Sequence, residues 1–303
     1  MKITNGFVGG LVVLLGVGFP VLGAAKITPK GMSAVHLAHQ PSPQPSPKQE
    51  SPEEASKPKP FYLPLDEIIP VEEQNKIERK RTQKSIQTSE GLGSDRTVDF
   101  SQFNTGIINQ YRGDCTAQAM AGGMENKLRQ SVDTSADVSQ ESLWAWYRQP
   151  SVYAAVNTAQ KTWVKRESAW PFGARSFKLP EERGLYRADQ IEYLGDYYTP
   201  GIKQKIIASL DQRNPVYWGG SVNQDMASCF VNIRANVPQT NGGHSVPFTG
   251  YKVSKGVLWT KLKQSWGKNC GDGGYQWFNI DSCANGYCLF WSVKKVSMRG
   301  EAK

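Results

Sequence analysis

Histidine is scarce in this sequence: the 303 residues include only three, His36, His39 and His244. The first two lie beside a proline-rich stretch, so His244 is the one histidine available to the C-terminal two thirds of the chain. A metal site built from several histidines is therefore excluded there, and the sequence implies no metal or cofactor. A nucleophilic pair of one cysteine and one histidine needs only one of each, so it is compatible with this composition.

Core-forming residues are missing from the N-terminal part of the chain. Residues 41–60 hold seven of the 18 prolines and no aromatic or large aliphatic residue. Such a segment cannot bury enough apolar surface to order itself, and residues 26–60 are therefore predicted to be a disordered, extended linker. All nine tryptophans follow residue 140, which places the folded core in the C-terminal part.

Dense runs of basic residues are also missing, although the net charge is +9. Residues 26–100 carry 11 basic and 11 acidic side chains, whereas residues 101–303 carry 24 basic and 16 acidic ones, an excess of 24 − 16 = +8. The basic residues occur singly or in pairs. This pattern favours a solvated basic face over a nucleic-acid site, and no nucleic-acid partner is predicted.

Only one long apolar run is present, and it lies at the N-terminus. Lys2 is followed by a mainly apolar stretch over residues 7–22 and then by the small residues Gly23, Ala24 and Ala25. This order is typical of a secretory signal over residues 1–25. An uncleaved membrane anchor is the alternative, but Pro20 and the small-residue end favour cleavage. We expect a secreted protein, with the periplasm as another destination, and no stable membrane anchor.

Cysteine is infrequent and odd in number, with five residues. Export permits disulfides. If Cys115 is a reactive thiol, the other four can form two bridges in three connectivities. Cys283 and Cys288 flank the turn signal Asn285-Gly286, which makes them a plausible pair. The four candidate bridge cysteines are Cys229, Cys270, Cys283 and Cys288.

The sequence around Cys115 predicts a helix that begins at this residue. Gly113 and Asp114 form a turn, and apolar residues then recur at helical spacing. A helix N-terminus offers partial positive charge and unpaired N–H groups, so the pKa of the thiol is expected to be depressed. A buried structural cysteine is an equally good interpretation of this segment alone. The apolar stripe consists of Ala117, Met120, Ala121, Met124 and Leu128.

Two later segments contain further candidate residues. His244 follows two glycines and precedes an apolar run that predicts a strand. A second strand is predicted over GVLWTKLK, ending at Gln264, Ser265, Trp266 and Gly267, with a third over the aromatic residues beyond Gly274.

Together these segments resemble the papain-like cysteine peptidases. That family has a Gln shortly before a Cys that opens a long helix, then a downstream His at a strand and an Asn-Ser-Trp-Gly motif. Five matching pieces occur in the same order over about residues 97–296, and 129 positions separate Cys115 from His244. The pieces are TVDFSQFNTGIINQYRGDCTAQA, VSQESLWAW, SAWPF, GGHSVPFTGYKV and LKQSWGKNCGDGGYQWF.

The resemblance implies a site and a fold. Cys115 would attack the carbonyl and His244 would carry the proton, while Gln264 would orient the imidazole ring. Gln110 and the Cys115 backbone N–H would form the oxyanion hole, and Trp266 would shield the histidine's hydrogen bond. The implied fold is α+β with two lobes, a helical lobe over 101–213 and an antiparallel, β-barrel-like lobe over 214–296, with the cleft between them.

The sequence departs from the family at several positions. Gln264 occupies the place of the family's Asn, and its stem is one methylene longer. The spacing from Gln110 to Cys115 is one residue tighter than usual, and Cys270 replaces a Trp. The family's Cys-Asn-Gly-Gly stretch is absent between residues 144 and 170, so subsite specificity does not carry over.

The predicted protein is thus a secreted cysteine peptidase that acts as a monomer on protein or peptide substrates. Residues 97–303 would be the peptidase domain, and residues 61–96 an inhibitory pro-segment whose apolar start binds the cleft. The alternative for 61–96 is a structural element packed away from the cleft. Two other functions are open: a peptidoglycan amidase or endopeptidase, and a catalytically silent binding module on the same scaffold.

Overall fold

The computed structural model describes residues 60–83, 91–174 and 184–300. The predicted signal segment 1–25 and the linker segment up to residue 59 lie outside these residues. Within them, no helix combines the length and the apolar character that a membrane crossing requires.

Three of the described helices begin after a side chain that caps a backbone N–H: Ser139, Ser151 and Asn223. The side chain of Ser139 accepts a hydrogen bond from Ser142 N at the start of α4, which satisfies a backbone donor that would otherwise lack a partner. The prediction of a helix that opens at Cys115 is confirmed. The described helices are α1 (Leu65–Ile68), α2 (Val71–Gln83), α3 (Cys115–Arg129), α4 (Gln140–Tyr147), α5 (Val152–Lys161), α6 (Ile202–Asp211) and α7 (Gln224–Ala227).

The strands form one sheet in the order β3-β9-β4-β6-β7-β8-β5, and β1 and β2 pair in addition with β6. Apart from the parallel β5–β8 pair, the pairings are antiparallel. The described strands are β1 (Leu63–Pro64), β2 (Arg96–Asp99), β3 (Tyr186–Asp196), β4 (Val216–Asn223), β5 (Asn232–Ile233), β6 (Gln239–Ser254), β7 (Val257–Lys263), β8 (Tyr275–Asn279) and β9 (Cys288–Met298).

Helix α3 packs its apolar stripe against β6 and β9, and all five residues of the stripe are fully buried. Burying a side chain such as Met120 or Leu128 stabilises the fold by about 1.5–3 kcal/mol. The aromatic rings of Trp218, Phe248 and Phe278 pack together in the sheet with centroids 5.3–6.1 Å apart. The element that carries Cys115 is therefore held firmly against the strand that carries His244.

The predicted boundary between the lobes, at residue 214, is wrong. The sheet already includes β3, which pairs with β9 from Tyr186 onward. Helix α6, predicted to belong to the helical lobe, packs on β3, β4, β6 and β9. The strand-rich C-terminal part therefore begins near Tyr186, because β3 pairs with β9, a strand about a hundred residues later in the chain.

Both possible disulfides are formed, and Cys115 is the free cysteine. Of the three open connectivities, the structure has the one in which Cys283 pairs with Cys288, as the turn between them made plausible, and Cys229 pairs with Cys270. Cys283 and Cys288 are 5 residues apart in the sequence, and Cys229 and Cys270 are 41 residues apart.

Candidate active site

Cys115 is the first residue of α3 and follows a tight turn. The carbonyl of Asp114 accepts hydrogen bonds from the N–H groups of Ala117 and Gln118, at 2.9 and 3.0 Å, which closes the first turn of the helix. The Cys115 side chain is completely buried. The backbone N–H of Ser245, the residue after His244, hydrogen-bonds to the thiol, so the cysteine lies against the strand that carries the histidine.

His244 lies in β6, and its ring is held on two sides. Its Nε2 atom is 3.0 Å from Oε1 of Gln264, and its ring stacks on Trp266 with centroids 4.1 Å apart. His244, Gln264 and Trp266 are each no more than 1% exposed. The extra methylene of Gln264 therefore does not prevent a hydrogen bond of ordinary length to the imidazole.

Gln110 is positioned from the loop that precedes α3. Its backbone N–H donates to the carbonyl of Ser265 at 2.7 Å, and its Oε1 accepts from the Ser265 hydroxyl. Those contacts turn its amide Nε2 toward the carbonyl oxygen of Phe61, 3.1 Å away. The indole Nε1 of Trp266 donates to the same oxygen at 2.9 Å.

The segment 61–69 continues from that contact across the two lobes. Leu63 pairs with Gly243 as β1 adds to β6, one residue before His244. The contacts are close: a Cβ at Gly243 would lie 2.8 Å from Ile68 Cγ1, and a Cβ at Gly113 would lie 2.7 Å from Leu63 Cδ2. The two glycines beside the candidate residues thus leave the room that this segment occupies.

Helix α2 then fixes the segment to the sheet. Ile77 is 1% exposed. The Arg81 guanidinium donates to the Gly286 carbonyl at 2.6 Å and to the Tyr198 hydroxyl at 2.9 Å. Lys80 pairs with Asp196. This charged helix therefore packs through the apolar side chain of Ile77, one ion pair and the hydrogen bonds of Arg81.

The electrostatics of the cysteine differ from the expectation drawn from the sequence. Complete burial raises the pKa of the Cys115 thiol to about 12, and the carboxylate of Asp114 acts in the same direction. Backbone N–H groups facing the sulfur lower it, but they are outweighed. The prediction of a depressed thiol pKa is wrong for this arrangement, because desolvation exceeds the effect of the helix N-terminus.

The histidine is shifted in the complementary direction. Burial lowers the pKa of His244 to about 3, and the hydrogen bond that the ring donates to Gln264 offsets only part of that effect. Thiol and imidazole are both neutral at pH 7 in this arrangement. Both residues were expected at the cleft between the lobes, and in this arrangement each is completely buried.

Sequence reasoning missed three contributors to this site. Asp114, interpreted only as a turn residue, is completely buried, and burial raises the pKa of its carboxyl to about 6. Phe61 contributes its backbone carbonyl oxygen, and a contact of the backbone leaves no signal in a pattern of side chains. Gln276 donates to a backbone carbonyl and accepts from Gln264, and its place in an alternating strand gave no signal beyond burial.

Known proteins resemble this chain in structure and not in sequence. No protein-family model matches the chain, and no curated protein matches it in sequence. Among solved structures, the bromelain protease of Ananas comosus aligns with a TM-score of 0.52 and 14% identity, covering 65% of this chain and 99% of bromelain. Digestive procathepsin L 3 of Tenebrio molitor aligns at 0.53 and 17%, covering 67% and 72%.

A bacterial structure aligns as well: xylellain, a cysteine protease from Xylella fastidiosa, has a TM-score of 0.50 and 19% identity, covering 70% of this chain and 90% of xylellain. At these identities the likeness shows the fold. The chain therefore has the papain-like α+β fold that its motifs predicted, and the fold class is confirmed. The chemical roles of individual residues rest on the geometry above.

Proposed function

We propose that this protein is a cysteine peptidase that cleaves peptide bonds with Cys115 and His244 and is made as a zymogen. The observation that carries the proposal is that the thiol of a helix-opening cysteine accepts from the N–H of Ser245, the residue next to a histidine bonded to Gln264. The papain-like fold supports the same reaction class, because bromelain and xylellain are proteases of that fold.

In the uncovered enzyme, His244 takes the thiol proton and Cys115 attacks the scissile carbonyl as thiolate. The imidazolium then gives its proton to the leaving amine, and water hydrolyses the acyl-enzyme with the same histidine as base. Gln264 holds the ring, and Trp266 covers the face of the ring against solvent. The amide of Gln110 and the backbone N–H of Cys115 stabilise the charge that develops on the carbonyl oxygen.

The zymogen part of the proposal is supported by the Phe61 carbonyl. It accepts hydrogen bonds from Gln110 Nε2, the proposed oxyanion donor, and from Trp266 Nε1. Segment 61–69 thus occupies donors that a substrate carbonyl needs, and in the same arrangement the buried thiol stays protonated. Residues 61–96 would restrain the enzyme until they are displaced or removed.

Export through residues 1–25 belongs to the same proposal. Its support is the pair of disulfides, which persist in oxidising compartments and are rare in the reducing cytosol. Protein or peptide substrates would then be met outside the cell, and the enzyme would act as a monomer.

The direct test is hydrolysis of casein and of a small peptide ester by the full chain after the covering segment has been loosened by Ile68→Asp. Hydrolysis that disappears with Cys115→Ala and with His244→Ala supports the proposal. Release of muropeptides without casein cleavage would assign the amidase function instead. If Cys115 reacts with an epoxide probe but no substrate is cleaved, the chain is a binding module.

A further inference from the structure

Gln276 lies in β8 directly behind the candidate site and is completely buried. Its side chain joins two partners. Its Nε2 lies 2.5 Å from the carbonyl oxygen of Phe230, and its Oε1 lies 2.7 Å from Nε2 of Gln264. Gln264 in turn reaches His244, so a row of two amides connects a backbone carbonyl to the imidazole.

The carbonyl of Phe230 fixes the orientation of the whole row. A carbonyl oxygen can only accept, so the group of Gln276 that faces it must be the NH₂. The oxygen of Gln276 then faces Gln264, which must present its own NH₂. The oxygen of Gln264 is thereby turned toward His244.

A second contact supports the same orientation independently. The backbone N–H of Ser265 donates to Oε1 of Gln264 at 3.3 Å. A backbone N–H can only donate, so a flipped Gln264 amide would bring two donors together there and two acceptors together at Gln276. Both ends of the Gln264 amide are therefore assigned by partners whose roles are fixed.

The orientation determines the protonation of the imidazole. Because Gln264 presents an acceptor, Nε2 of His244 must carry the hydrogen, and in the neutral ring Nδ1 is then the base. His244 Nδ1 is buried and has no hydrogen-bond partner among the described residues. That nitrogen is free to take a proton.

The Phe230 carbonyl, from which the row of amides starts, is held in place by contacts on both sides of the residue. Phe230 follows Cys229, which is bonded to Cys270, and its own N–H donates to the carbonyl of Asp225 at 3.0 Å. The next residue accepts from Trp277 N at 2.7 Å, beside Gln276. The acceptor at the start of the row therefore cannot rotate away.

We propose that Gln276 is a positioning residue that sets the tautomer of His244 through Gln264. The glutamine at 264 has one more rotatable bond than an asparagine would have, so its amide has more orientations to lose, and the contact from Gln276 removes them. The catalytic consequence rests on the proposed peptidase function, whereas the tautomer is a property of the folded chain alone.

The test uses imidazole nitrogen NMR shifts of the full chain carrying His36→Gln and His39→Gln, so that His244 is the one ring observed. We expect Nε2 protonated and Nδ1 unprotonated near neutral pH. Gln276→Met keeps the volume but removes the acceptor, and it should give a mixture of tautomers. Gln276→Glu is the matched control: its buried carboxyl, protonated, donates to Phe230 and still accepts from Gln264, so a single tautomer should persist.

Hydrolysis by the same variants, loosened with Ile68→Asp, gives the second readout. Gln276→Met should lower kcat about tenfold with little change in KM, and Gln276→Glu should restore most of the rate. Thermal unfolding identifies any variant that fails to fold. A wild-type ring protonated at Nδ1, or a single Nε2–H tautomer retained by Gln276→Met, overturns the inference. If the shifts behave as expected but no variant hydrolyses substrate, the peptidase proposal fails and the positioning role stands.

Discussion

The indole N–H of Trp266 donates to the backbone carbonyl of Phe61 at 2.9 Å across a sequence separation of 205 residues. The amide of Gln110 donates to the same oxygen. One carbonyl of the N-terminal segment thus engages both the residue proposed to shield the histidine and the residue proposed to stabilise the oxyanion. Because the accepting atom belongs to the backbone, these two hydrogen bonds depend on the course of the main chain at residue 61 and not on the identity of its side chain.

The nucleophile and the base should each be essential for hydrolysis, and they should differ in their effect on stability. In the Ile68→Asp background, Cys115→Ala and His244→Ala should each abolish peptide hydrolysis. Cys115→Ala removes one buried sulfur and should change the free energy of unfolding by no more than about 1 kcal/mol. His244→Ala removes the closer of the two donors to the Gln264 oxygen and leaves a cavity, so it should cost about 1–3 kcal/mol. Hydrolysis by His244→Ala within a few-fold of its parent would mean that another group is the base.

Gln264 should matter less than either partner, since it orients a proton carrier and transfers no proton itself. Gln264→Ala should lower kcat by about ten- to a hundredfold. Gln264→Asn tests the spacing: its amide is one methylene too short for the 3.0 Å contact, so its rate should lie between those of Ala and the wild type. Steady-state kinetics on the peptide ester decide this. An Asn variant as fast as the wild type would show that the length of the side chain is unimportant.

Asp114 should make stability depend on pH. Burial raises the pKa of its carboxyl from 3.8 to about 6, so the folded chain holds this proton more tightly than the unfolded chain does. The stabilisation is complete below about pH 4 and is lost as the pH rises through 6. Relative to Asp114→Asn, the wild type should lose on the order of 2 kcal/mol of unfolding free energy between pH 4 and 7. Urea unfolding at several pH values measures this difference. If the unfolding free energies of the wild type and of Asp114→Asn change with pH in the same way, the raised pKa of Asp114 is contradicted.

The long disulfide should contribute most of the cross-link stability. Cys229 and Cys270 are 41 residues apart, and a loop of that size restricts the unfolded chain by about 4 kcal/mol. The bridge of separation 5, Cys283–Cys288, should contribute about 2 kcal/mol by the same relation. Paired Cys→Ser variants compared by denaturant unfolding give the difference. Equal losses from the two pairs would show that native-state contacts, rather than loop length, set the effect.

Local features of the site could be predicted from the sequence. The apolar stripe after Cys115 gave the start of α3, and the turn at Gly113-Asp114 preceded it as expected. The strand that ends before Gln264 was likewise predicted, and β7 ends at Lys263. These elements depend on residues within a few positions of one another.

Features that depend on distant segments could not be predicted. Cys115 is buried where α3 packs on β6, a strand far along the chain, so the expected direction of its pKa shift was wrong. Strand β3 pairs with the distant strand β9, so the sheet includes residues before the lobe boundary that was predicted at residue 214. Gln276 alternates with aromatic residues in a strand, and its link to Gln264 becomes apparent only when β8 lies beside the end of β7.

The central claim is that the segment around Ile68 covers a reactive Cys115, and the rate at which an epoxide probe labels Cys115 tests it most directly. Three full-length proteins are compared: the wild type, Ile68→Asp, and Lys76→Ala as the control, since Lys76 is exposed on α2 and its ion pair is with Glu73 of the same helix. Ile68 is fully buried, and replacing it by a charge removes at least about 1.5–3 kcal/mol of burial, so labelling should accelerate tenfold or more. Lys76→Ala should label like the wild type. Equal rates in all three proteins would contradict the account.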